Sequence, residues 1–99
     1  MRGYIYLIKC GKYYKIGRTE KNFQQRLSDI QTSNPEKIKI VFCAKVDSYK
    51  EIEESIHEHF KDKRVRGEWF ELKCEEIEFA IKMIVQAIDL DNQIPIFYE

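Results

Sequence analysis

Two short segments near the start of the chain carry residue types that suit phosphate chemistry. The first is Gly3-Tyr4-Ile5-Tyr6-Leu7-Ile8, and the second, after a turn, is Tyr14-Lys15-Ile16-Gly17-Arg18-Thr19. Tyrosine, lysine and arginine side chains that converge from two paired strands can donate hydrogen bonds to a phosphate and neutralise its charge. The pattern therefore predicts a phosphate-handling site, which could serve either catalysis or binding.

Arg26 stands out on the helix that is predicted to follow. It falls on or beside the apolar stripe formed by Phe23, Leu27 and Ile30. One interpretation is that the aliphatic part of the Arg26 side chain runs along the edge of the core while its guanidinium stays in water. The other is a guanidinium held at the sheet surface to bind a phosphate in a fork geometry.

Glu53 and His57 are spaced i, i+4 on a second predicted helix and therefore share one face. A carboxylate in that place could bind one Mg²⁺, which often uses one or two protein carboxylates and takes its other ligands from water and phosphate. The alternative is an ordinary surface pair among the many acids of this helix. His57 and His59 diverge on a helix, so we do not expect them to form a zinc site.

Hydrophobic periodicity and turn residues predict the elements that must position these side chains. The predicted strands cover residues 3–9, 13–17 and 37–46, and the predicted helices cover about 23–31, 49–61 and 74–90. A short extended segment is predicted over 68–72. Asn22 is expected to cap the first helix, and Pro35 to end it. We expect one domain, residues 1–99, with its core over 3–72 and an irregular tail over 91–99. Its α+β fold is a small three-stranded antiparallel sheet flanked by helices in the order ββαβα, with a short GEWF strand or extended segment and a C-terminal helix.

The charge of the chain is unevenly distributed, although the formal net charge is zero. Residues 1–26 hold seven Lys or Arg and one acid, a balance of +6, whereas residues 74–99 balance to −5. A phosphate backbone responds to such a local patch rather than to the total, so the pattern favours a nucleic-acid partner. A solvated face without function is the alternative.

Cysteine usage and hydropathy bound the cellular setting. The three cysteines are widely spaced and odd in number, which argues against a disulfide framework or zinc ribbon and fits a reducing cytosol. No apolar run approaches the roughly 18 residues of a membrane span, and no signal peptide precedes Arg2. We therefore expect a cytoplasmic protein with no membrane partner.

Six segments, taken in order, resemble the GIY-YIG nuclease superfamily, most closely its compact phage- and virus-type branch. They cover roughly residues 3–72 and are Gly3–Tyr6, Tyr14–Thr19, Arg26–Leu27, Gln31–Pro35, Glu53–Phe60 and Gly67–Phe70. The resemblance implies hydrolysis of phosphodiester bonds in nucleic acid, DNA being favoured, with a single divalent ion, Mg²⁺ or Mn²⁺.

The resemblance also assigns roles to residues of this chain. It implies that Tyr6 helps to activate or position the attacking water, that Arg26 stabilises charge on the phosphate, and that Glu53, or alternatively Glu54, holds the metal. Gly17 corresponds to the glycine that lets the backbone approach the site. The tyrosine position of the second motif is occupied by Lys15, which could contact the phosphate or lower the pKa of a nucleophile. Because side chains alternate along a strand, we expect Lys15 to face the site and Tyr14 to face the core.

These arguments give three sets of predicted site residues and three functional hypotheses. The predicted catalytic residues are Tyr6, Lys15, Arg26 and Glu53; the secondary candidates are Tyr14, Gly17, Arg18 and His57; the predicted nucleic-acid contacts are Lys9, Lys12, Arg18, Lys21 and Asn34. The first hypothesis is a metal-dependent endonuclease, and the second is a degenerate nuclease fold that binds nucleic acid without cutting. The third is a protein-interaction domain that uses the acidic C-terminal helix, which could also form a homodimer contact.

Overall fold

A computed structural model describes residues 3–91 and 95–96 of the chain. Within these ranges the chain forms six strands and three helices, with a single 3₁₀ turn at Lys61–Lys63. The elements are β1 (Gly3–Cys10), β2 (Tyr13–Thr19), α1 (Phe23–Thr32), β3 (Lys39–Val46), α2 (Tyr49–His59), β4 (Arg64–Arg66), β5 (Trp69–Phe70), α3 (Cys74–Asp91) and β6 (Pro95–Ile96). No helix in the described ranges is both long enough and apolar enough to cross a membrane.

The strands form one antiparallel sheet in the order β4-β5-β2-β1-β3-β6. Its centre, β2-β1-β3, is the predicted three-stranded sheet, so the α+β prediction was right in class and too coarse in strand number. The added strands have only two or three residues, too few to show an alternating pattern. The prediction of an irregular tail was wrong for Pro95 and Ile96, which pair with β3. Residues 92–94 and 97–99 of that tail lie outside the described residues.

Helices cover both faces of the sheet. On one side, which we call the α1 face, Tyr6, Ile8 and Cys43 pack with α1 residues Phe23 and Ile30. On the other side, the α2–α3 face, alternate strand residues build the larger core with α2 and α3. That core includes Ile5, Leu7, Ile16, Phe42, Ile56, Phe60, Phe70, Ala80, Ile84 and Ile88. Because strand side chains alternate between faces, neighbours such as Tyr14 and Lys15 are sent to opposite sides.

The ends of the helices explain how the candidate residues are held. The Asn22 side chain accepts hydrogen bonds from the backbone N–H groups of Gln24 and Gln25, at 2.9 and 3.2 Å, which confirms the predicted cap. Helix α2 stops at His59 rather than at residue 61, because the chain tightens there into the 3₁₀ turn, with the Lys63 N–H donating to the Phe60 carbonyl at 2.8 Å. The Asn22 cap fixes the start of α1 and therefore the position of Arg26, whose backbone N–H donates to the Asn22 carbonyl at 3.1 Å.

Candidate active site

The candidate site forms where the outer edge of β2 loses its strand partner. Strand β5 pairs with β2 only at Tyr14 and Lys15. At the next residue, the Ile16 N–H donates to the Glu68 carbonyl at 3.2 Å, and the Ile16 carbonyl accepts a hydrogen bond from His57 Nε2 at 2.7 Å. Since a carbonyl can only accept, Nε2 carries the proton. His57 therefore fastens α2 to the open edge of β2 and brings Glu53, one turn earlier, to the level of Arg18.

Glu53 is a buried carboxyl group whose neighbours only partly offset the cost of burying its charge. It is 6% exposed, and its Oε1 lies 3.7 Å from Nε of Arg18. Its Oε2 is buried and makes no hydrogen bond with any residue that the structure describes. Burial raises the pKa of Glu53 to about 7 and the negative charge of Glu68 adds to this, while Arg18 acts in the opposite direction. The group therefore titrates near neutral pH, where a nearby cation would shift it to the ionised form.

The surroundings of Glu53 fit a divalent cation. An orphaned buried carboxylate oxygen beside a second carboxylate is an arrangement whose electrostatic cost a cation would offset. No group of three or more His, Cys, Asp or Glu residues in the described ranges could hold an ion by itself. A Mg²⁺ ion that has one or two carboxylate ligands and is completed by water and phosphate needs no such group. Glu54, the alternative ligand, has a side chain 73% exposed and reaches toward Nη1 of Arg18 at 3.8 Å.

Tyr6, Gly17 and Arg26 form a second part of the site on the α1 face. Tyr6 is fully buried directly opposite Gly17, where an added Cβ would lie 2.5 Å from Cζ of the tyrosine ring. Gly17 therefore provides the space that the ring occupies. Nε of Arg26 donates to the Tyr6 hydroxyl at 3.3 Å. Burial raises the pKa of Tyr6, although the Arg26 hydrogen bond and charge lower it, so the phenol is neutral at neutral pH and holds the guanidinium in place.

Lys15 points to the α1 face, whereas Tyr14 packs against the core on the other side, as the strand alternation predicts. Nζ of Lys15 lies 3.0 Å from Oε1 of Glu68 and 5.5 Å from the centroid of the Trp69 ring, and the lysine side chain is only 13% exposed. Glu68 was not among the predicted site residues. Its signal in the sequence is an acid placed directly after the turn glycine Gly67, which has a φ of 55° and closes a segment rich in Lys and Arg.

A cleft of about 510 Å³ opens beside Arg26, between α1, the end of β2 and the start of α2. Four cationic side chains and two acidic ones line it: Arg18, Lys21, Arg26 and Lys50, with Glu20 and Asp29. The positive excess suits a phosphate backbone. The cleft thus brings two of the predicted nucleic-acid contacts, Arg18 and Lys21, next to Arg26.

The other predicted lysine contacts lie farther away. Lys9 lies over the Tyr14 ring, 5.7 Å from its centroid, on the α2–α3 face and therefore away from Tyr6 and Arg26. Lys12 lies at the tip of the β1–β2 hairpin, 5.2 Å from the centroid of Tyr13, and forms an exposed ion pair with Glu71 at 3.5 Å. Lys9 is thus separated from the candidate site, and Lys12 lies at the opposite end of β2 from Gly17 and Arg18.

Asn34 completes the end of α1. Its Nδ2 donates to the Ile30 carbonyl at 2.7 Å, which satisfies one of the last carbonyl groups of the helix. The same residue lines a pocket at the hairpin tip, next to Cys10. Its polar side chain therefore orders the loop after α1, and it lies at the rim of a surface that a substrate could reach.

Replacing His57 tests how α2 is fastened. We expect His57→Ala to lower the free energy of unfolding by about 1–3 kcal/mol, because it leaves the Ile16 carbonyl without its partner and removes the ring that packs 5.1 Å from Phe70. Urea unfolding measures this loss. The matched control is His59→Ala, two residues later on an exposed position, which should cost less than half as much. Equal losses would show that the hydrogen bond to β2 contributes nothing particular.

Comparison with protein families matches residues 3–85 to the T5orf172 domain. No curated protein and no solved structure matches the chain significantly. The matched range runs from β1 into α3 and contains every residue of the candidate site described above. The chain therefore belongs to the T5orf172 domain family.

Proposed function

We propose that this chain is a divalent-metal-dependent endonuclease of the GIY-YIG type, which hydrolyses phosphodiester bonds in nucleic acid and takes DNA as its favoured substrate. The T5orf172 domain is phage-associated and related to nucleases, which supports the proposal. The observation that carries it is the buried Glu53 carboxylate with an unpartnered oxygen, placed among Arg18, Lys15 and Glu68. Such an arrangement serves metal binding better than it serves stability.

Glu53 is the metal-holding residue of the proposal. When bound there, Mg²⁺ or Mn²⁺ would neutralise charge on the phosphate and lower the pKa of a bound water. Arg18 and Lys15 both lower the pKa of Glu53, which favours the ionised form that binds a cation. Because that pKa remains at about 7, the proton competes with the metal, and metal affinity should increase as the pH rises through neutrality.

Arg26 is the phosphate-stabilising residue of the proposal. Its Nε donates to Tyr6, and neither Nη group has a hydrogen-bond partner among the described residues, so the two could bind two oxygens of one phosphate. Tyr6 fixes the plane of the guanidinium, and Gly17 makes room for Tyr6. A donor positioned in advance toward developing charge contributes to catalysis because little reorganisation is needed during the reaction.

The cleft beside Arg26 provides the approach for the substrate backbone. Its cationic side chains neutralise phosphates irrespective of base sequence, so binding should weaken as salt is raised. Phosphate contacts position a nucleic acid but do not read its sequence. The contacts in the cleft therefore give the proposed enzyme no preference for a base sequence.

Supercoiled plasmid tests the proposal. We expect the purified chain to convert it to open-circular or linear DNA in Mg²⁺ or Mn²⁺ and to leave it intact in EDTA, because the proposed hydrolysis needs the ion at Glu53. Lys15 at the tyrosine position of the second motif favours one alternative, a module that binds without cutting. Salt-dependent binding with no cleavage in any divalent metal would establish that alternative and reject the nuclease.

A further inference from the structure

A small pocket lies on the α1 face, between the tip of the β1–β2 hairpin and the β4–β5 hairpin. We call it the hairpin pocket. Its volume is about 230 Å³, and its lining residues are Cys10, Tyr13, Asn34, Val65, Arg66 and Trp69. It shares no lining residue with the cleft beside Arg26. The proposed hydrolysis gives it no role.

The hairpin pocket is small, and strand register determines which side chains line it. Its volume of about 230 Å³ is below the roughly 300–1,000 Å³ of pockets for drug-sized ligands and suits one flat ring system. Lys15 pairs with Trp69 across β2 and β5, and Trp69 pairs with Arg66 across β5 and β4. Tyr13, two residues before Lys15 on β2, faces the same side. This part of the α1 face therefore carries two aromatic rings, Tyr13 and Trp69, and two cations, Lys15 and Arg66.

The residues of the pocket offer stacking surfaces and positive charge together. Trp69 is half-buried, and Val65 at the rim is 53% exposed although it is apolar. The Lys12 ammonium lies 5.2 Å from the Tyr13 ring centroid, and Arg66 is exposed. Aromatic rings beside cations are the chemistry that binds single-stranded nucleic acid, where bases stack on the rings and phosphates meet the charges. A base within a duplex is already stacked on both faces, so only an unpaired base suits the pocket.

We propose that the hairpin pocket binds one unpaired nucleobase of the nucleic acid that the site cleaves, an inference that rests on the proposed function. Lys15 connects the two places, since its ammonium lies over Trp69 and pairs with Glu68 beside Glu53. Tyr13 lies four residues from Gly17 along β2, about 13 Å at 3.3 Å per residue, a distance that a few nucleotides span. The substrate class is therefore nucleic acid with a single-stranded stretch next to the scissile phosphate.

Trp69 is the single tryptophan of the chain and therefore reports on its own pocket. We expect a short oligothymidylate, added to the metal-free full chain at low salt, to quench its fluorescence, and a blunt DNA duplex of equal length to leave it nearly unchanged. Tyr13→Ala should weaken binding of the single strand by about 5- to 100-fold, because one base loses its stacking partner. Phe79→Ala, which removes another exposed aromatic ring on α3, should have no effect.

Two arginines of β4 provide a second test of the pocket, in which no aromatic ring is removed from the fold. Arg66 lines the pocket, whereas Arg64 lies over Phe70 on the opposite face, 5.4 Å from the ring centroid. Both are exposed, so both variants should fold. We expect Arg66→Ala to weaken single-strand binding several-fold more than Arg64→Ala does.

The outcomes separate this inference from the proposed function. Equal quenching by single strand and duplex, or equal effects of Arg66→Ala and Arg64→Ala, would overturn the pocket while plasmid cleavage in Mg²⁺ still supported the nuclease. Selective quenching by the single strand, lost in Tyr13→Ala, would support the pocket even if no plasmid were cut. Absence of both quenching and cleavage would reject both.

Discussion

Glu53→Gln is expected to abolish metal-dependent cleavage and, at the same time, to stabilise the metal-free protein above neutral pH. Glutamine keeps the shape of the side chain but cannot supply the negative charge that holds a divalent ion. We expect cleavage to fall by at least about 10³-fold, as for the loss of a principal electrostatic contribution to catalysis. Plasmid conversion in Mg²⁺ measures the first effect, and urea unfolding in EDTA measures the second.

The sign of the stability effect follows from the pKa of Glu53, which burial raises from 4.5 to about 7. The folded protein then binds a proton more tightly than the unfolded chain does. The resulting stabilisation is fully present below about pH 4.5 and is lost as the pH rises through about 7. At pH 8 the fold contains a poorly compensated charge, with a cost on the order of 3 kcal/mol. Glu53→Gln should recover about 1–3 kcal/mol there, since it removes the charge but also the Arg18 ion pair.

Glu54→Gln is the matched control, because Glu54 is adjacent, carries the same charge and has a side chain 73% exposed. It should retain most of the cleavage and leave the pH dependence of stability unchanged. If the Glu53→Gln variant cuts as fast as the wild type, Glu53 does not hold the metal. If its free energy of unfolding is lowered as much at pH 8 as at pH 5, burial does not raise the pKa of Glu53.

Arg26→Ala is expected to lower the rate of cleavage by about 10²–10³-fold, because it removes a positioned donor from the phosphate. Arg26→Lys should recover little of this, since an ammonium cannot donate to Tyr6 and also present a planar fork. Single-turnover cleavage of an oligonucleotide substrate gives the rate, and urea unfolding checks the fold. The control is Arg64→Ala, because Arg64 is exposed and lies on the opposite face of the sheet. This variant should keep nearly the full rate.

The division of the effect between binding and rate distinguishes the two interpretations of Arg26. Charge stabilisation during the reaction predicts a lower maximal rate with a similar substrate affinity. If only the affinity falls, Arg26 contributes uniform binding of the backbone. If neither changes, its guanidinium is simply the polar end of a side chain at the core edge.

The central strands and the helices could be predicted from the sequence because their patterns are long enough to show a period. The alternation along β2 also gives the orientation of Lys15 toward the α1 face and of Tyr14 toward the core. Strands β4, β5 and β6, with two or three residues each, show no such period. They form because longer neighbours offer an edge, which is information that lies outside the segment itself.

The parts of the candidate site that escaped prediction depend on contacts between distant residues. Glu68 reaches Lys15 because β5 pairs with β2, more than 50 positions away in the chain. His57 was predicted as a secondary site residue, but its hydrogen bond to the Ile16 carbonyl, 41 residues away, gives it a positioning role. No local pattern marks such pairings, because they arise only when the sheet and α2 have come together.

Cleavage of supercoiled plasmid by the wild type, Glu53→Gln and Arg26→Ala, side by side in Mg²⁺ and in EDTA, tests the central claim most directly. The account predicts open-circular or linear product from the wild type in Mg²⁺ alone, and little or none from either variant under any condition. A wild type that leaves the plasmid intact, or variants that cut it as fast as the wild type, would contradict the claim.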